Sequence, residues 1–253
     1  MKKIYFSILL IFLVSIVFGQ KQKVKYLTTF DDKLLHFGFT LGINGLDFRV
    51  HNYNPIGDYP DFKEPLNPEP GEVITAFSYI RSDLTEIIPG FTVGIVTSLR
   101  LTKDLNLRFL PGMSFGERKL VFNVPVIDIN QSESLPYYSI KSTFLDFPLL
   151  FKYKARRINN GRPYIVFGPA FRQDISRTAQ EDLIKLKNGS FYAEIGAGWD
   201  NYFPFFKFSL EAKFSFGLTN QLGNLPSVTQ RQYYAQSIKN LRSNLFTLSF
   251  HFE

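Results

Sequence analysis

Across residues 191–217 the chain alternates apolar and polar residues in two arms separated by a short break. Phe191, Ala193, Ile195, Ala197 and Trp199 interleave with Tyr192, Glu194, Gly196, Gly198 and Asp200. After Tyr202-Phe203-Pro204, the residues Phe206, Phe208, Leu210, Ala212, Phe214 and Phe216 interleave with Lys207, Ser209, Glu211, Lys213 and Ser215. A period of two puts each set on its own face of a strand; at helical spacing the same residues would scatter around the axis. A half-buried sheet of a water-soluble protein alternates in the same way. Two features favour a membrane instead. Each arm has roughly ten residues, what a tilted strand needs to cross a bilayer, and its apolar face is heavy in aromatics. The polar face, with its glycines, suits the inside of a narrow closed barrel.

The alternation recurs along the chain. Leu35, Phe37, Phe39, Leu41 and Ile43 form the first apolar row, and further strands are expected from Phe91, Leu105, Leu145, Arg162, Phe191 and Phe206, with the last at Phe246. Thr102-Lys103-Asp104 and residues 154–161 are short turns. The long connection before Phe91 holds Pro55, Pro60, Pro65, Pro68 and Pro70, which exclude a central strand there. Within it, residues 73–88 fit either a strand extension or a short helix. A second long connection covers 117–137, with apolar parts that could lengthen its neighbours. Eight strands with alternating long and short connections predict an all-β, eight-stranded antiparallel up-and-down transmembrane outer-membrane β-barrel over 35–253. Both termini would be periplasmic and the long loops extracellular.

Composition agrees. The 253 residues include 28 Phe and 13 Tyr, an aromatic content of 17%, yet mean hydropathy is only −0.06, as expected when lipid-facing and lumen-facing residues cancel. Lys2 and Lys3, an apolar run over 4–18, and Gly19-Gln20 compose a secretory signal peptide over 1–19, leaving 20–34 as a periplasmic segment. The absence of cysteine excludes a lipoprotein anchor, disulfides and thiolate metal sites. The formal charge of +7, or 7 − 2 = +5 without Lys2 and Lys3, comes from dispersed cations in an exported chain, which argues against nucleic acid as a partner.

Some residues go beyond generic barrel chemistry. Phe30-Asp31-Asp32-Lys33, His36-Phe37-Gly38-Phe39 and Leu41-Gly42, together with Gly90-Phe91-Thr92-Val93-Gly94-Ile95, resemble the PorT family of outer-membrane barrels. That resemblance implies a part in type IX protein secretion and gliding motility, other secretion-machinery proteins as partners, and no catalytic residues to carry over. Leu145-Asp146-Phe147-Pro148-Leu149 and Gly168-Pro169-Ala170 look like those of many small outer-membrane barrels and discriminate little.

The lumen row holds Arg100, Arg108, Asp146, Lys152, Glu194, Asp200, Lys207, Glu211 and Lys213. Opposite charges inside a closed barrel are expected to pair, because a buried charge requires it. A nucleophile–base site would need histidine near serine or carboxylate. His36, His51 and His251 are the three histidines; only His251 has a serine two residues away, Ser249, and with no further nucleophile–base pattern the chain is expected not to be an enzyme. No cofactor, metal or small-molecule substrate is expected either. Asp31, Asp32 and Lys33 cannot face lipid and are the candidate partner contact. The acidic Pro-rich loop, with Tyr53, Tyr59 and Phe62, is either a docking surface or a solvated spacer. The resulting expectation is a non-enzymatic accessory component of the type IX secretion machinery, seated in outer-membrane lipid. The alternative is a small outer-membrane barrel enzyme or a structural porin-like barrel.

Overall fold

The computed structural model describes residues 24–62, 75–123, 126–127, 134–135, 138–176, 184, 186–223 and 232–253. The signal peptide over 1–19 lies outside the described residues, as do 20–23 and 63–74, the latter with Pro65, Pro68 and Pro70 of the first loop.

Eight staves form the wall: β1 (Leu35–Asn52), β2 (Pro89–Arg100), β3 (in two pieces, Leu105–Phe109 and Gly112–Phe122), β4 (Tyr138–Lys154), β5 (Gly161–Asp174), β6 (Gly189–Tyr202), β7 (Lys207–Gly217) and β8 (Ile238–Phe252). Each is antiparallel to the next. β8 returns to β1, with Phe39 opposite Phe252 and Asn52 opposite Ile238, so the eight staves close into a ring. The predicted eight-stranded antiparallel ring is therefore the fold. Both described chain ends lie with the short turns, which defines a turn end and a loop end.

The strands outrun their predicted lengths toward the loop end. β1 continues to Asn52, β4 starts at Tyr138, and β8 starts at Ile238. The alternation persists there, but polar residues replace apolar ones in the outward row. On β1 that row passes from Ile43 through Gly45 to Asp47, Arg49 and His51; on β8 it passes from Phe246 to Asn244, Arg242 and Asn240. The undecided residues 73–88 contain a strand, Ser82–Ile87, paired with the loop end of β3 (Ser82 opposite Phe122, Ile87 opposite Arg118). It continues β2 past an irregularity. A short helix (Gln232–Gln236) precedes β8, and no helix among the described residues is long and apolar enough to cross a membrane.

The break in β3 is a loss of donors, not of register. Phe109 faces Leu149 and Gly112 faces Asp146, so the pairing runs through the gap unchanged. Pro111 has no N–H to give. Neighbouring carbonyls still accept: Ile95 donates to the Pro111 carbonyl at 2.9 Å and Leu110 to that of Pro148 at 3.2 Å. The β4–β5 ladder likewise skips from Pro148 opposite Ala170 to Phe151 opposite Phe167, passing over Pro169. At that skip a Cβ on Gly168 would collide with the Leu149 carbonyl, so glycine is needed for the strands to approach.

The two faces differ completely. Phe37, Phe39, Ile43, Phe91, Ile95, Ile195 and Phe214 are each more than half exposed on the outer wall, whereas Arg108, Lys152, Asp200 and Ser209 are sealed inside. An apolar belt of that extent belongs against an apolar phase, not water.

Candidate functional site

The interior is the site, and it is built in three levels. At the turn end the N-terminal segment folds across the mouth. Asn160, in the turn between β4 and β5, accepts from the Tyr26 amide at 3.0 Å and donates to the Val24 carbonyl at 2.8 Å. The one-turn 3-10 helix Phe30–Asp32 then turns Asp31 inward. Tyr202 donates its hydroxyl to Asp31 Oδ2 at 2.6 Å, Arg162 Nη1 donates to the same oxygen at 3.0 Å, and Lys154 Nζ lies 3.7 Å from Oδ1. Burial pushes the Asp31 carboxyl up, but the Tyr202 hydroxyl and then Lys154, Lys207 and Arg162 outweigh it and hold the group below the usual carboxylate value. Phe30 stacks on His36 with centroids 4.2 Å apart. Asp32 remains exposed, its side chain 71% accessible and 3.5 Å from Arg100, and Lys33 is exposed.

The middle level is ionic. Lys152 pairs with Asp200 at 2.7 Å, which also accepts from Ser209 Oγ at 2.5 Å. Lys207 pairs with Glu253 at 3.0 Å. Arg108 pairs with Glu211 at 2.7 Å; Glu211 accepts from the Tyr164 hydroxyl at 3.0 Å and has His251 Nε2 at 3.5 Å. Above them Arg172 bridges two carboxylates, Asp146 at 2.9 Å and Glu194 at 2.6 Å, and Lys213 joins Glu194 at 2.7 Å. Ser114 donates to Asp146 as well. A cavity of about 30 Å³ beside Asp146, Arg172 and Lys213 leaves room for ordered water.

The loop-end level is apolar. Phe48, Leu120, Phe122, Ile238 and Leu241 from the strand tops pack with Ile56, Ile80, Ile184 and Tyr234 from the connections. Arg118, fully buried, lies beneath this cap. Its guanidinium sits 3.8 Å from the Phe48 ring centroid and donates to Ser243 Oγ at 3.0 Å and to Ser142 Oγ.

Of the residues singled out in the sequence, Arg108, Asp146, Lys152, Glu194, Asp200, Lys207, Glu211 and Lys213 meet inside the lumen. Arg100 does not. It sits at the rim, where its guanidinium donates to the Asp32 carbonyl at 2.8 Å, so two groups expected to be separate are joined. Asp31 is not an open contact surface either, because it is clamped in the mouth. Lys207 and Glu211 have different partners, Glu253 and Arg108. Sequence reasoning missed Arg172, Arg118, Arg162 and Lys154. The signal was parity: Arg172 shares the inward row of Gly168 and Ala170, and Arg118 that of Gly112 and Ser114. Arg172 closes the predicted fifth strand without being counted in its inward row, and Arg118 stands beyond the predicted end of the third, where the pattern was no longer followed.

A closed eight-stave ring with an apolar outer belt and a charge-paired interior defines a small outer-membrane β-barrel protein. The chain belongs to the family described as outer membrane protein beta-barrel domain, whose profile matches residues 18–223. It is a protein of the outer membrane, its belt in contact with lipid. No curated protein matches it. Among solved structures it is similar to the outer membrane protein OprG from Pseudomonas aeruginosa, with 12% identity and a TM-score of 0.45 over 92% of this chain and 97% of that one. It is also similar to Neisserial surface protein A, at 8% identity and a TM-score of 0.39 over 87% and 98%. A third is the attachment invasion locus protein Ail of Yersinia pestis, at 11% identity and a TM-score of 0.32 over 87% and 98%.

Proposed function

We propose that this barrel is a non-enzymatic accessory of type IX protein secretion and gliding motility, acting by holding partner proteins at the outer membrane and not by passing cargo through its lumen. The observation that carries the second half is the filled interior. Ion pairs occupy its middle, Asp31 draws the N-terminal segment across one mouth, and loop residues cap the other. Eight staves leave a bore that side chains fill, so a polypeptide has no path. The secretion assignment rests on the resemblance of residues 30–42 and 90–95 to the PorT family. In this reading the turn end is periplasmic and the loops are extracellular. The partner contact is the exposed pair Asp32 and Lys33, with Asp31 shaping the segment that presents them.

The test is affinity recovery in mild detergent from a host possessing that secretion system, with co-purifying chains identified. Secretion components should be recovered with the unmodified protein and reduced with Asp32→Ala plus Lys33→Ala at equal barrel abundance. Absence of such components from the unmodified sample, or open-pore conductance in a planar bilayer, would overturn the reading.

A further inference from the structure

The outer wall at the loop end carries an arrangement that the interior does not explain. Arg49 of β1 and Arg242 of β8 are directly opposed in the ladder, and both belong to the outward row. Opposed residues on one face hold their Cβ atoms about 4.5–5.5 Å apart, and like charges so placed are destabilising. Among the described residues neither guanidinium has an ion-pair partner. The Arg242 Nε is buried with no hydrogen-bond acceptor. Two arginines in this relation form a fork for one anion.

Directly below the pair, toward the membrane centre, the wall is grooved. Gly45 provides no side chain opposite Phe246, and Phe214 and Phe216 of β7 form the far side. The groove has a volume of about 400 Å³, and its three phenylalanines are 41–53% exposed. Between groove and arginines lies one polar step, Asp47 opposite Asn244. Moving up the wall, the order is an apolar slot, a carboxylate with an amide, and two cations.

We propose that this strip binds a phosphorylated glycolipid of the loop-end leaflet, with an acyl chain in the Gly45 groove, sugar hydroxyl or amide donors on Asp47 and Asn244, and a phosphate held between Arg49 and Arg242. The sequence of chemistries matches the order in which such a lipid presents them along the membrane normal. Asp47 selects against a simple phosphodiester lipid, whose headgroup next to the acyl chains has no donor for a carboxylate.

The probe is lipid A, a diphosphorylated acylated disaccharide, added to the purified full chain in detergent and followed by native mass spectrometry. The unmodified protein should retain lipid A at least tenfold better than its fully dephosphorylated form, a comparison that requires no variant. Arg49→Gln with Arg242→Gln should lose that preference, and Gly45→Phe should weaken retention of both forms by filling the groove. Millimolar inorganic phosphate should displace little, since it has no acyl chain. Equal retention of the two lipid forms by the unmodified chain would overturn the proposal, as would full competition by inorganic phosphate, which would leave an anion site without a lipid.

Discussion

The two halves of the lumen solve burial in opposite ways. Toward the turn end, each cation of the Arg172–Asp146–Glu194–Lys213 cluster and of the Lys152–Asp200 pair meets a carboxylate. Toward the loop end, the interior becomes an ordinary apolar core of Phe48, Ile56, Leu120, Ile184 and Leu241, with Arg118 held by aromatic faces and serine hydroxyls. Ionic packing is intolerant, because removing one partner strands the other in low dielectric. Apolar packing degrades in proportion to what is removed. The difference teaches that the barrel has one half that fails abruptly and one that loosens.

The largest effect is expected from Arg172→Ala, which leaves Asp146 and Glu194 without their shared cation and should cost about 3–5 kcal/mol. Denaturant unfolding of the detergent-refolded barrel measures it. A loss below 1 kcal/mol would erase the distinction between the halves. Leu241→Ala, in the apolar half, should cost about 2–4 kcal/mol. Its signature should be local: hydrogen exchange should accelerate around Phe48, Ile56 and Leu241 while the amides near Lys207 and Phe252 stay protected.

Asp31→Asn should cost roughly 1–2 kcal/mol through the lost charge in its hydrogen bonds. Here pH supplies an independent check. A carboxyl depressed on folding contributes stability that is present above its unfolded value, about 4, and disappears as pH falls through the lower folded value. Acid should therefore release residues 24–34 from the mouth in the unmodified protein, seen as faster proteolysis of that segment. In Asp31→Asn the segment should show no such acid step. The smallest effect is expected from Arg108→Met with Glu211→Leu and Tyr164→Phe, the last removing the hydroxyl that donates to Glu211. Replacing a whole buried polar cluster by apolar groups is often neutral, so the triple variant should unfold within about 1 kcal/mol of the parent, although Arg108→Ala alone is costly.

Much of the wall was legible because period-two alternation reports directly on which face a residue occupies. Residues 35–43, 91–99, 191–202 and 207–217 are in strands whose faces match that reading. The lumen charges were legible by the same parity, but their partners were not. Glu211 could have met Lys207, Lys213 or Arg108, and the ring's shear, which a linear pattern does not carry, decides in favour of Arg108. The loop-end core was invisible for a different reason. Ile56 and Ile80 come from one connection and Ile184 from another, none with periodicity, and only closure of the ring brings them together. Asp31 was misjudged because its neighbours Asp32 and Lys33 are indeed exposed, and one 3-10 turn suffices to send it the other way.

The proline seam has a mechanical consequence. A barrel wall resists pulling because parallel hydrogen bonds share the load along each strand. Pro111, Pro148 and Pro169 stand on consecutive staves and at adjoining rows, and each removes one donor from that lattice. The backbones cross this height unbroken, but a pull that shears β3, β4 or β5 past its neighbour meets fewer lateral bonds there. Under force these staves slip against one another at that height first, whereas β6, β7 and β8 offer an unbroken ladder and yield as one sheet.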